Sequence, residues 1–131
     1  MESWIIPCNL KQYDVVGAFN NLPMIDWKQS ATSINVGDIV YIYVSTPIKA
    51  IKYKCVVRKT LMDKIEINDT PYIIDGSNYV YSKYHMKLEL LETYGEELTL
   101  DKLRENGLKG NIQGPQRVNE LLLKYMMTLE E

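Results

Sequence analysis

Ser33–Pro47 reads SINVGDIVYIYVSTP. Asn35-Val36-Gly37-Asp38 has the residues of a turn, an alternating run follows, and Pro47 stops it. Alternation sends Ile39, Tyr41, Tyr43 and Ser45 to one side and Val40, Ile42 and Val44 to the other. Both sides are largely apolar. The pattern predicts a strand covered on both faces, or one whose second face lines a cavity.

The neighbouring segments fit such a strand. Ala50–Lys59 sets Ile51, Tyr53, Cys55 and Val57 against Lys52, Lys54, Val56 and Arg58, a half-buried strand with a basic outer face. Tyr84–Leu91 alternates Tyr84, Met86, Leu88 and Leu90 with His85, Lys87 and Glu89, which turns His85 to solvent. Ser3–Pro7 is a short apolar strand ended by proline. Asn9 can cap a helix over residues 10–21, with Leu10, Tyr13, Val16 and Phe19 at helical spacing and Leu22-Pro23 as its stop. Residues 24–34 show no clear period and read as a loop. Residues 61–78 read as an excursion containing Pro71 and an Asp75-Gly76 tight turn. Thr99 caps a short helix that Gly107 ends, and Gly114-Pro115 opens a last helix with Val118, Leu121, Leu122 and Tyr125 as its stripe. Strands mostly follow strands, so a small, twisted, barrel-like mixed sheet with peripheral helices is expected over a parallel βαβ sheet.

The 131 residues fit one domain, 1–131, able to bury roughly two thirds of its unfolded surface. Cys8 and Cys55 are too few for a disulfide framework and match no zinc spacing. The first residues lack the basic start of a signal peptide, and no apolar run approaches the ~20 residues of a membrane helix. The expectation is a cytoplasmic protein without membrane contact. The net charge of −2 argues against a bulk DNA coat. Charge is nevertheless segregated: Ile39–Met62 contains no acid but holds Lys49, Lys52, Lys54, Arg58 and Lys59, while Glu89–Glu105 is acidic.

The residues for chemistry are sparse. The one histidine, His85, has no acid or nucleophile at a motif spacing, and no phosphate loop or nucleophile elbow is present. A catalytic function is not expected, and neither a cofactor nor a metal is implied. The aromatic set is more informative: ten tyrosines and two tryptophans stand against one phenylalanine, and tyrosine suits partly exposed walls because its tip is polar. Trp27 falls just before the turn into the tyrosine strand. It is either a lid on the core or a platform on which a flat ring stacks.

Trp4 in the first strand, Trp27, Gly37-Asp38, Tyr43 and Ser45 fall in an order that resembles the EVE domain. That family lies in the PUA-like superfamily, with the YTH and ASCH domains. The resemblance spans residues 3–127, including Tyr84–Leu91 and the GNIQGPQRVNELL segment, Gly110–Leu122. Residues 61–82 match nothing specific, and the family's usual polar segment after the first strand is here Pro7-Cys8-Asn9. The resemblance implies an α+β, mostly antiparallel pseudo-barrel and a reader of modified, methylated bases in DNA or RNA. A flipped-out base would sit in an aromatic cage. Trp27 would stack on it, and Tyr43 and Trp4 would close the cage. Ser45 and Asn9 would meet the base edge, although a cap role suits Asn9 better. Lys49, Lys52, Lys54 and Arg58 would meet phosphates, with Gln113 and Arg117 at the mouth. The partners implied are nucleic acid and effector proteins. The alternative is an assembly module that uses the same barrel with a filled interior.

Overall fold

Both apolar sets of the tyrosine strand are buried, each in a different core. Val40, Ile42 and Val44 enter a core with Ile6, Ile25, Tyr53 and Leu88; Ile39, Tyr41 and Tyr43 enter a second with Ile51, Leu98, Leu103 and Leu122. The structure, a computed structural model, describes residues 1–75 and 83–130. Gly76, half of the expected Asp75-Gly76 turn, lies outside the described residues.

The strands are β1 (Ser3–Cys8), β2 (Met24–Lys28), β3 (Ile39–Val44), β4 (Ala50–Met62), β5 (His85–Thr93) and β6 (Gln116–Arg117). They form one sheet in the order β2-β5-β4-β3-β1-β6. Among the described residues only the β1–β3 pair is parallel, with Trp4 beside Val40 and Ile6 beside Ile42. A parallel neighbour needs a long crossover, and residues 9–38 supply it with helix α1 (Val15–Asn21) and β2. Helices α2 (Leu100–Glu105) and α3 (Glu120–Thr128) cover the outer face of β3 and β4 through Leu103, Leu122 and Met126. Register shifts at Lys54/Cys55, Val57/Lys59 and Lys59/Met62 mark bulges along β4. Bulges bend a strand and raise its twist, which lets this long strand curl around the first core. The result is the expected α+β, mostly antiparallel pseudo-barrel.

Four local expectations are corrected. The first helix starts at Val15, where Asp14 accepts the Gly17 N–H at 3.0 Å; Asn9 instead makes a turn, its side chain accepting the Lys11 N–H at 2.9 Å. Residues 24–28 are a strand and not a loop. His85 is buried at 3 % exposure, not turned to solvent. Gly114-Pro115 precedes a strand, because β1 has an open edge that takes Gln116–Arg117; α3 begins later, with the Asn119 side chain accepting the Leu122 N–H at 2.9 Å. Its buried stripe is Leu122 and Met126, while Leu121 is mostly exposed.

The predicted stop at Gly107 holds, with φ at +117°. A β-carbon there would lie 3.1 Å from the Leu121 side chain. Gly107→Ala is expected to lose about 1–3 kcal/mol of stability, read as a lower urea midpoint.

Candidate functional site

Three strands separate β2 from β1 in the sheet order, yet residues of both border one cavity of about 190 Å³. The sheet therefore bends until its ends approach, and the cavity is the unzipped seam between them. β1 contributes Ile6 and Pro7, and β2 contributes Trp27 and Lys28. Ser30 and Ile34 come from the loop after β2, and Met86 from β5. Gln113, Gly114 and Pro115 close the remaining side just before β6. β6 pairs with Trp4 and Ile5, and among the described residues no strand lies beside β1 beyond Ile5 on that edge. Pro7 suits this stretch because it carries no N–H that needs a partner.

The aromatic wall is braced from behind. Trp27 meets the Tyr13 ring edge-to-face at 5.2 Å between centroids, and the Tyr13 hydroxyl donates to Asp69 at 2.7 Å. The loop wall is braced by Gln29, a buried amide. Its Nε2 donates to the carbonyls of Ala31 (3.1 Å) and Ile34 (3.3 Å), and its Oε1 accepts the Leu61 N–H at 2.7 Å. Asp26, also buried, accepts the N–H groups of Glu66 and Ile67 at 2.6 and 2.7 Å, which ties residues 66–67 to β2.

The lining holds one tryptophan, an aliphatic set and three polar residues, Lys28, Ser30 and Gln113. None of its described lining residues is Asp or Glu. It exceeds a ~150 Å³ apolar cavity that takes benzene, so a single flat ring fits its scale. A larger, shallower depression of about 490 Å³ follows residues 65–73, but that one segment supplies all its described walls. Burial pushes the Cys8 thiol up to about 12 and raises that of Cys55 as well, so both stay protonated and neither is a nucleophile at neutral pH.

Of the expected base-binding residues, only Trp27 borders the cavity; Gln113, placed at the mouth, joins it there. Tyr43 lies on the other face of the sheet, under the helices, because it shares the side of Ile39 and Tyr41. Trp4 points into the first core but its indole N–H donates to Asp38 at 3.1 Å, and the Arg117 guanidinium stacks over it at 4.5 Å. Ser45 sits in the turn after β3, its N–H donating to the Cys8 carbonyl at 3.0 Å. Asn9 is exposed and occupied by its own turn. A cage of Trp27, Tyr43 and Trp4 is thus not assembled. Lys28, Ser30, Ile34, Met86 and Pro115 were not foreseen.

The basic face of β4 is balanced by acids from elsewhere. Lys54 pairs with Glu130, Arg58 with Glu89 at 2.6 Å, and Lys59 with Glu66 at 3.0 Å. Lys52 donates to the Gly95 carbonyl at 2.8 Å, and Lys49 is exposed in the turn before β4.

No protein-family model matches the sequence, and no curated protein matches it. Solved structures do match the fold. An ASCH protein from Zymomonas mobilis aligns with TM-score 0.65 at 9 % identity, over 98 % of this chain and 95 % of that one. A Pseudomonas syringae protein aligns with TM-score 0.69 at 13 % identity, over 98 % and 99 %. The fold is therefore that of the ASCH and PUA-like pseudo-barrels. Human THYN1, solved in complex with DNA containing 5-methylcytosine, shares it too: TM-score 0.65 at 12 % identity, over 100 % of this chain and 98 % of that one. Among the described residues no helix is long and apolar enough to cross a membrane.

Proposed function

We propose that this chain is a nucleic-acid-binding module of the EVE type that takes one methylated base out of its stack into the seam cavity. The observation that carries the reading is the ring-sized cavity that Trp27 borders, with the polar residues Ser30 and Gln113 among its lining. The THYN1 complex supports it, because a protein of the same fold binds DNA containing 5-methylcytosine. The energetics are consistent. Extruding a base costs a few kcal/mol. Stacking on one aromatic side chain returns ~1–3 kcal/mol, and edge hydrogen bonds add to it. The methyl group contacts the aliphatic lining and contributes ~1–3 kcal/mol of discrimination. The module binds and carries no catalytic step of its own.

The test is fluorescence anisotropy with short strands carrying a single 5-methylcytosine or N6-methyladenine, beside unmodified controls. Preference for a modified strand is expected. Gln113→Ala, at an exposed position, is expected to weaken that strand's binding about 5-fold, the loss of one net hydrogen bond of ~1 kcal/mol. Equal weak binding to every strand, with no loss in the variant, refutes the reading.

A further inference from the structure

We infer that the main-chain carbonyl of Pro7 makes the seam cavity select bases that carry an exocyclic amine over bases that carry a carbonyl at the same ring position. The inference rests on the base-binding reading above and names the class of base that the site accepts: cytosine and its methylated form over thymine and uracil.

The ladder of β1 fixes where that carbonyl points. In a parallel pair, alternate residues of a strand turn their backbone groups to the partner, and the residues between turn theirs to the opposite edge. The carbonyls of Glu2 and Cys8 accept the N–H groups of Ile39 (2.9 Å) and Ser45 (3.0 Å). The β1–β3 register runs between them without a shift, so the even-numbered residues of β1 serve β3. The odd-numbered residues serve the other edge: the Ser3 carbonyl accepts the Val118 N–H at 2.9 Å, and Ile5 pairs with Gln116. Pro7 is the next residue on that edge, half-buried in the cavity lining. Continued pairing would set Gly114 against it, but among the described residues no N–H donates to the Pro7 carbonyl.

A carbonyl only accepts, and the strand holds this one in place. Ser30 and Gln113, in the same lining, both donate and accept, so either can turn to suit an amine or a carbonyl. Lys28 belongs to β2, across the seam, and its ammonium only donates. The fixed acceptor on the β1 side is therefore Pro7. Cytosine presents a donor at N4, whereas thymine presents an acceptor at O4. Two acceptors brought together leave both unsatisfied, which costs more than a hydrogen bond not made. Thymine is 5-methyluracil and carries its methyl group where 5-methylcytosine does. An aliphatic lining cannot separate two such isosteres, but a site built to bond the amine can.

Isosteric bases test this with size and methyl group held constant. Affinities are measured for single strands that differ at one position, which holds 5-methylcytosine, thymine, cytosine or uracil. The wild type is expected to favour 5-methylcytosine over thymine by about tenfold or more. Gln113→Ala is expected to weaken both strands and keep most of that ratio, because the main chain sets it. A second measurement reads the carbonyl itself. In an HNCO spectrum the Cys8 amide reports the Pro7 carbonyl carbon, whose resonance is expected to move with the 5-methylcytosine strand and to stay with the thymine strand. A ratio lost in Gln113→Ala, or a Pro7 resonance unmoved by the 5-methylcytosine strand, overturns the role of Pro7. A wild type that prefers 5-methylcytosine to cytosine but binds thymine as well also overturns it, and leaves the base-binding reading intact. Equal weak binding of all four strands overturns both.

Discussion

Trp27→Ala is expected to lower the unfolding free energy by about 3–5 kcal/mol. It should also remove preference for a modified base. The indole is 2 % exposed, fills the inner face of β2 and meets Tyr13 edge-on. Truncation opens a void that Ile25 and Met86 on either side are too short to fill. Against a total of ~5–15 kcal/mol, the variant is marginal, so its binding alone is ambiguous. Trp27→Phe separates the two effects. It keeps a flat ring on the wall and removes less volume, so it should fold with a smaller loss while stacking less strongly on a base. Urea denaturation measures the first quantity and anisotropy the second. A Trp27→Phe protein that folds well and binds modified strands like wild type would remove the indole from the site.

Asp38→Ala should be nearly as damaging, for a different reason. The carboxylate accepts three N–H groups: from Glu2 (2.9 Å), from Asn35 (2.9 Å) and from the Trp4 indole (3.1 Å). It thereby ties the start of β1 to the turn that launches β3. Hydrogen bonds to a charged acceptor contribute about 1.5–3 kcal/mol each, and losing the set should cost ~3 kcal/mol or more. The carboxyl also gives a pH signature. Burial alone raises its pKa, but the three donors and the nearby N-terminal charge hold it below the ordinary value. A depressed carboxyl stabilises the fold fully above its unfolded value of about 3.9. That contribution disappears as pH falls through the lower, folded value. Asp38→Asn should therefore flatten the acid limb of stability against pH in thermal melts. An unchanged acid limb would assign that limb to other carboxylates.

The tyrosine strand was legible because its two apolar sets could be satisfied only by two cores, and two cores on one strand require a curled sheet capped by helices. β2 was hidden by Asp26. Ile25 and Trp27 do alternate with Asp26 and Lys28, but over only five residues, and the buried acid is tolerable only because its donors lie on Glu66 and Ile67, forty residues downstream. Asn9 and Asp14 carry equally good capping side chains. The choice falls to Asp14 because β1 runs on to Cys8, whose carbonyl accepts the Ser45 N–H. The Gly114-Pro115 signal was overruled in the same way, by a free strand edge that no local pattern announces. The site follows suit. Trp27 and Gln113 were readable as residues that meet a ligand. Tyr43 was misplaced because the side of the sheet that Trp27 faces is unknowable until β2 is known to be a strand.

The contrasting surroundings of the two indoles have a practical use. Trp4 is clamped between a carboxylate and a guanidinium at one end of β1, while Trp27 borders the seam. With Trp4 replaced by phenylalanine, the protein keeps a single tryptophan, which borders the cavity and can be excited apart from the ten tyrosines. Its emission would report occupancy directly, without any dye on protein or oligonucleotide.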